Sequence, residues 1–238
     1  MNAQTLLDQL LRSGRELAEQ GRQLAGRGER ALEERLGVPA EGPERQAMLD
    51  GMKKGALAAG ALALLLGTRA GRRLGGTALR LGSLAAVGGL AWKAFQDWQR
   101  GQGGAAPPAG TPVHRLAGPA SERRSRQLLR AMIAAAKADG HIDADELTRI
   151  REQIDRLGLG SELARFMRDE VARPLDVRAV AEGVDDPESA AEVYLASLLV
   201  IDTRNEQERQ YLDRLADALH LPPALREQLE RQVAEGAG

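Results

Sequence analysis

Two short acidic segments in the C-terminal half of the chain carry residue types and spacings that could bind a cation. The first, ADGHIDADE (138–146), places Gly140 directly after Asp139 and ends on Glu146. An EF-hand calcium loop has a glycine at position 6 and a glutamate at position 12, which matches this segment when Asp139 is position 5. Carboxylate oxygens are the ligands that Ca²⁺ and Mg²⁺ prefer. The segment is therefore a candidate metal site.

The same segment departs from the EF-hand pattern at its beginning. Positions 1 and 3 of the loop fall on Ala135 and Lys137, so two carboxylates are missing and a lysine replaces one of them. Asp143 and Glu146 also have the spacing of a capping box, with Asp143 as the N-cap residue and Glu146 at N3. The residues alone leave two interpretations open, a cation site and a capped helical turn.

A second, weaker copy of this corner follows farther along the chain. Asp202 follows a predicted helix as Asp139 does, and Glu208 corresponds to Glu146, but Thr203 replaces the glycine and the loop is one residue shorter. Two such helix–turn–helix corners packed about a pseudo-twofold axis would bring their carboxylates together, as a hard cation requires. The candidate metal ligands are Asp139, Glu146, Asp202 and Glu208.

The pattern A-x-A-D-G-x-I-x-x-x-E (136–146) resembles the TerB-like helical domain of bacterial tellurite-resistance proteins. The layout of the whole chain is similar to the YebE-like inner-membrane family: a leucine-rich start (LLDQLLRSG), an apolar Gly/Ala-rich middle, a proline-containing linker and a TerB-like C-terminal domain. The resemblance implies a divalent cation, Ca²⁺ or Mg²⁺, held by the four acidic residues named above. It also implies a location at the bacterial inner membrane, with the TerB-like domain cytoplasmic, and a role in stress or tellurite resistance.

The composition favours helices over strands. Of 238 residues, 43% are hydrophobic but only 3% are aromatic, and alanine, leucine, glutamate and arginine are abundant. Apolar residues at helical spacing predict about six or seven helices within 121–238, one of them opened by Asp186 as N-cap and Pro187 at N1. The predicted fold is all-α, with a helical bundle preceded by an apolar helical segment and an amphipathic N-terminal helix.

We predict four regions along the chain. Residues 1–50 form an amphipathic N-terminal region, because Leu10, Leu17 and Leu24 recur every seven residues. Residues 51–98 form an apolar, Gly/Ala-rich segment whose uncharged or nearly uncharged runs, 55–68 and 74–92, predict membrane association. Residues 99–120 read as a Pro/Gly/Ala linker that does not pack, and 121–238 as the compact helical domain.

Charge and missing residue types limit the function. Residues 51–98 carry seven Lys/Arg against one acid, whereas 121–238 carry 17 basic and 24 acidic side chains. An acidic domain without aromatic platforms argues against nucleic-acid binding. The chain has no cysteine, which excludes disulfides and thiolate metal sites. No phosphate-binding loop or nucleophile–base arrangement is visible, so we predict that the protein is not an enzyme.

These observations favour a membrane-tethered, non-catalytic interaction module that binds a divalent cation or an unidentified protein partner. The glycines of the apolar segment follow the small-xxx-small spacing, which predicts self-association of these helices into a homo-oligomer. One alternative is a soluble oligomeric scaffold, in which a protein partner covers the apolar segment. A further alternative is a metal-dependent hydrolase that uses the acidic corners.

Overall fold

The computed structural model describes residues 2–9, 11, 84–101, 110–138, 144–156, 159–184, 186–201 and 205–237. These described residues form α-helices and one 3-10 helix and contain no β-strand, which confirms the predicted all-α fold. Residues 3–9 are helical, and eight further helices, α1 to α8, follow. Their bounds are α1 Leu84–Gly101, α2 Gly118–Ala136, α3 Ala144–Arg156, α4 Ser161–Ala172, α5 Val177–Ala181, α6 Pro187–Leu198, α7 Glu206–Ala218 and α8 Pro223–Ala237, with the 3-10 helix at Val113–Arg115 between α1 and α2.

Helix starts follow the capping residues in the sequence. Asp186 is the N-cap of α6, accepts a hydrogen bond of 2.7 Å from the backbone N–H of Ser189, and is followed by Pro187, as predicted. Asn205 caps α7 in the same way. Helix α3 begins at Ala144, directly after the residue predicted to cap it. Seven α-helices therefore lie in the described part of the chain from residue 118 onward, in agreement with the predicted number.

Helix α6 forms the centre of the molecule. It packs against α1, α2, α7 and α8, and every residue from Glu188 to Leu198 is buried. A helix that is apolar around most of its circumference is stable only when other elements cover all of its faces. The predicted apolar faces of the neighbouring helices meet it there, including the buried side chains Leu128, Leu129, Tyr211, Leu215, Leu225 and Leu229.

Helix α1 completes this core, although it lies mostly within the segment predicted to associate with a membrane. It packs against α6 and α8 through the fully buried side chains of Ala91, Ala94 and Phe95. Val87 and Ala91, in the second apolar run, are therefore buried within the protein. Val113, within the range predicted as an unpacked linker, is also fully buried. Residues 51–83, which hold the rest of the predicted membrane segment, lie outside the described residues.

The N-terminal residues pack on the same body. Ala3, Leu6 and Leu7 are at most 1% exposed, and the backbone N–H of Ala3 donates to both carboxylate oxygens of Glu122 on α2 at 3.0 Å. The later positions of the predicted heptad pattern lie outside the described residues. None of the described helices combines the length and the apolar character that crossing a bilayer requires.

Candidate functional site

A groove of about 640 Å³ is lined by residues that flank the two acidic corners in sequence. Its walls come from the end of α2, the first turn of α3, the α4–α5 connection and helix α7. The lining residues are Lys137, Ala138, Leu147, Val171, Ala172, Arg173, Pro174, Leu175, Gln207, Gln210 and Arg214. Residues next to the two corners, which are more than sixty residues apart in sequence, thus line one groove.

Lys137 fixes one wall of this groove. Its ammonium group donates to the backbone carbonyls of Glu170 at 2.9 Å and Arg173 at 2.5 Å, where α4 ends. A cation at a helix C-terminus satisfies carbonyls that have no partner within the helix and interacts favourably with the helix dipole. Burial lowers the pKa of Lys137, while Glu170 counteracts that effect. The lysine that replaces an EF-hand ligand in the sequence therefore ties α2 to α4.

The four predicted metal ligands are placed to different extents. Asp139 and Asp202 lie outside the described residues. Glu146 is in the first turn of α3, where the backbone alone is described. Glu208 is in the first turn of α7 and is buried, with 2% exposure. In sequence, three of the four are next to a residue that lines the groove. Asp139 follows Ala138, Glu146 precedes Leu147, and Glu208 follows Gln207.

No group of three or more His, Cys, Asp or Glu side chains within the described ranges is arranged to hold a metal ion. Two of the four predicted ligands are outside those ranges, and the Glu146 side chain is not described. The prediction that the four carboxylates converge therefore remains a prediction.

A second polar cluster, which was not predicted from the sequence, lies where α1, the Val113–Arg115 turn, α2 and α6 meet. Glu192 on α6 has no exposed side-chain surface. It accepts hydrogen bonds from the backbone N–H of Val113 at 2.6 Å and from Arg124 Nη1 at 2.7 Å. Burial raises the pKa of Glu192, and these two donors act in the opposite direction. Through these two hydrogen bonds, Glu192 links α6 to both α2 and the turn.

Glu188, one helical turn before Glu192, is also fully buried, and within the described residues neither of its carboxyl oxygens has a hydrogen-bond partner. Burial and the nearby carboxylates of Glu192 and Asp186, against the opposing effect of Arg124 and Arg115, together raise the pKa of Glu188 to about 8. The protonated form of Glu188 is therefore favoured at neutral pH. We use the term carboxyl cluster for Asp186, Glu188, Glu192 and Arg124.

Two glycines allow close approach to the carboxyl cluster. A Cβ at Gly88 of α1 would lie 3.3 Å from Glu192 Oε1 and 3.0 Å from Val113 Cγ1. A Cβ at Gly110 would lie 2.6 Å from Asp186 Oδ1. Real Cβ atoms rarely come so near another atom, so both positions depend on the absence of a side chain.

The signal for this cluster was present in the sequence but weak. Glu188 and Glu192 are four residues apart, hence on one helix face, within a segment that is otherwise small or apolar. A helix buried on all sides forces its acidic residues inward as well. Their partner Arg124 could not be identified, because α2 carries several arginines that look equivalent in sequence.

The described residues thus define a class of protein: an all-helical domain with a groove beside two acidic corners and a buried carboxyl–arginine cluster. The chain belongs to the family described as "Protein of unknown function (DUF533)", whose model matches residues 51–233. YebE-like proteins are members of this family, so the resemblance inferred from the sequence is confirmed at that level.

A curated relative also matches this chain. It is an uncharacterised protein from the ampR 5′ region of Yersinia enterocolitica, 32% identical over 114 residues. The match covers 48% of the present chain and 82% of the relative. No solved structure matches the chain.

Proposed function

We propose that this protein is a non-catalytic interaction module of a bacterial stress or tellurite-resistance type, tethered to the inner membrane and binding a divalent cation between its two acidic corners. The single observation that carries this proposal is the shared groove. Residues adjoining Asp139, Glu146 and Glu208 line one groove, which is the arrangement that a site built from both corners requires.

The chemistry of the corners supports a hard cation. Asp139, Glu146, Asp202 and Glu208 offer oxygen ligands only, which suit Ca²⁺ and Mg²⁺ better than softer metals. The ammonium group of Lys137 is hydrogen-bonded to the backbone carbonyls at the end of α4 and is thus already held by another part of the fold.

Calorimetric titration of Ca²⁺, Mg²⁺ and Mn²⁺ into the full chain tests the cation part. The test variant is Asp139→Asn/Glu146→Gln/Asp202→Asn, and the matched control is Glu182→Gln/Glu227→Gln/Glu235→Gln, which removes the same number of charges from exposed positions. We expect saturable heat in the wild type and in the control, and none in the test variant. Absence of heat in the wild type, or equal heat in both variants, would refute the cation site.

Membrane tethering is proposed from the apolar run at 55–68 and the basic residues that flank it. We expect the full chain to float with liposomes of phosphatidylethanolamine and phosphatidylglycerol and to resist carbonate extraction. A variant lacking residues 55–68 should remain in the soluble fraction while keeping its helical circular dichroism. If the wild type also remained soluble without detergent, the tether would be refuted.

The packing of α1 favours one alternative, a soluble oligomeric scaffold. Part of the apolar surface of the 51–98 segment is buried within the protein, including Val87, Ala91 and Phe95. In that case, light scattering should show a detergent-free oligomer whose size falls when Gly67 and Gly71 are changed to leucine, because bulky side chains prevent close helix contacts.

A further inference from the structure

The arrangement of charge at the junction of α1, α2 and α6 points to a function separate from the groove. Three carboxyl groups, Asp186, Glu188 and Glu192, lie along the first turns of α6 and face a single buried cation, Arg124. Arg124 contacts Glu192 at 2.7 Å and Asp186 at 3.4 Å. Arg124 thus contacts the carboxylates that precede and follow Glu188 in the sequence.

Glu188 cannot keep a negative charge there without penalty. It is fully buried, and in the part of the chain that the structure describes both of its oxygens, as well as the buried hydroxyls of Ser121 and Ser125 on α2, lack hydrogen-bond partners. A buried ionised carboxylate is stable only when it is paired and hydrogen-bonded. Because Arg124 pairs with Glu192 and Asp186, a proton is the species that neutralises Glu188.

The junction around Glu188 also holds α1 in place. The N–H of Val113 donates to Glu192, and a Cβ at Gly88 of α1 would lie within 3.3 Å of Val113 and Glu192. Arg115 lies over the ring of Trp92, with 5.6 Å between the guanidinium carbon and the ring centroid. A charge that forms beside Glu192 therefore acts on the contacts that join α1 and the turn to α6.

We propose that the carboxyl cluster is a buried proton switch: with Glu188 protonated, α1 and the Val113–Arg115 turn are held against α2 and α6, and ionisation of Glu188 loosens this junction. The proton moves from the Glu188 carboxyl group to solvent hydroxide, leaving a carboxylate. Because α1 follows residues 51–83 in the chain and packs on the helical domain, the switch acts on the helix through which that segment is joined to the domain.

Among the described residues, four charged groups act on Glu188. On α6 they are Asp186 and Glu192, on α2 Arg124, and on the turn Arg115. Helix α1 brings the uncharged Gly88 to the cluster, and its lysine, Lys93, bonds to Gln232 of α8 instead. Burial lowers the pKa of His114 on the turn, so this histidine is already neutral well below the range in which Glu188 ionises.

The two tryptophans of the chain provide the readout, because Trp92 and Trp98 are both on α1. Tryptophan emission of the full-length protein is recorded from about pH 6 to about pH 9.5, a range that spans the ionisation of Glu188. We expect the wild type to show a red shift with a midpoint near pH 8 as α1 becomes solvated. Glu188→Gln should show no shift, whereas the exposed control Glu182→Gln should behave as the wild type does.

A second variant keeps the test decisive if the buried amide of Glu188→Gln prevents folding. Glu188→Met has a similar length and no polar group, and buried ionic side chains replaced by apolar ones are commonly tolerated. Circular dichroism at pH 6 establishes that each variant is folded. The α-amino group titrates in the same range but is unchanged in every variant. A wild type without a transition, or a folded Glu188 variant that retains it, would overturn the proposal.

Discussion

Arg124 Nη1 lies 2.7 Å from Oε2 of Glu192, a carboxylate with no exposed side-chain surface, and this ion pair joins α2 to the central helix α6. The arginine itself is only 13% exposed. Breaking a buried pair by removing one partner leaves an uncompensated charge, which is far more harmful than losing a surface pair. The first prediction concerns this contact.

Arg124→Ala should lower the free energy of unfolding by about 3–5 kcal/mol, because Glu192 and Asp186 both lose their cation. The matched control is Arg209→Ala on α7, whose ion pair with Glu206 is about half exposed. We expect that variant to stay within about 1 kcal/mol of the wild type. Urea unfolding followed by circular dichroism measures both. Equal losses of unfolding free energy in the two variants would show that the Arg124 ion pair stabilises the protein no more than an exposed ion pair does.

Stability should fall as the pH rises through the range in which Glu188 ionises. The pKa of about 8 in the folded protein exceeds the ordinary glutamate pKa of 4.5, so the folded protein binds the proton more tightly than the unfolded chain does. The stabilisation linked to this proton is complete below pH 4.5 and is lost progressively up to about pH 8. At about 1.4 kcal/mol per pKa unit, the loss is at most about 5 kcal/mol.

Denaturant unfolding at a series of pH values measures this dependence. Glu188→Gln cannot ionise, and its unfolding free energy should change much less between pH 5 and pH 8. A Glu188→Gln curve with the slope of the wild type would mean that other groups cause the pH dependence.

Two adjacent glycines of α1 should respond in opposite directions to the same substitution. A Cβ at Gly89 would meet none of the described residues within 4 Å, so Gly89→Ala should stabilise the protein by about 0.5–1 kcal/mol through helix propensity. Gly88→Ala gains the same propensity but places its Cβ 3.0 Å from Val113 Cγ1. We expect a net destabilisation of about 1–2 kcal/mol, typical of overpacking. Thermal unfolding compares the pair, and a stabilised Gly88→Ala would contradict the close packing of α1.

Lys137→Met should reduce stability by about 1–3 kcal/mol, because the carbonyls of Glu170 and Arg173 lose a charged donor. Lys93→Met is the matched control, since its ammonium makes a single long bond of 3.4 Å to Gln232. We expect a loss below about 0.5 kcal/mol there. Hydrogen exchange of the amides around residues 171–176 should increase in the Lys137 variant alone. Unchanged hydrogen exchange would show that Lys137 does not stabilise the groove wall.

The sequence predicted those features that depend on local rules. Asp186 followed by Pro187 predicts a helix start independently of tertiary contacts. The helical spacing of the apolar residues Tyr211, Leu212 and Leu215 predicts a buried helix face. Features that depend on what surrounds a residue were harder to predict. An Ala/Gly-rich run is equally compatible with lipid and with a protein core, so the packing of α1 against α6 and α8 was not foreseen.

The candidate sites likewise combine residues that the sequence pattern indicated with residues that only tertiary contacts identify. The acidic corners could be found because their spacing resembles a known loop. Arg124 and Glu188 could not be found, because a glutamate in the first turn of a helix is usually solvated and favoured by the helix dipole. Only the coverage of α6 on all sides turns Glu188 into a buried acid, and that coverage involves α1 and the turn at Val113, both far from Glu188 in sequence.

Buried side chains from both sides of residues 12–83 belong to one hydrophobic core: Leu6, Leu7 and Leu11 precede that range, and Val87, Ala91 and Phe95 of α1 follow it. A protease that cuts the chain once between residues 12 and 83 should therefore yield two fragments that stay together under native conditions and separate only in denaturant. The N-terminal residues are thus a structural part of the helical domain, and removing them takes part of the domain's own core with them.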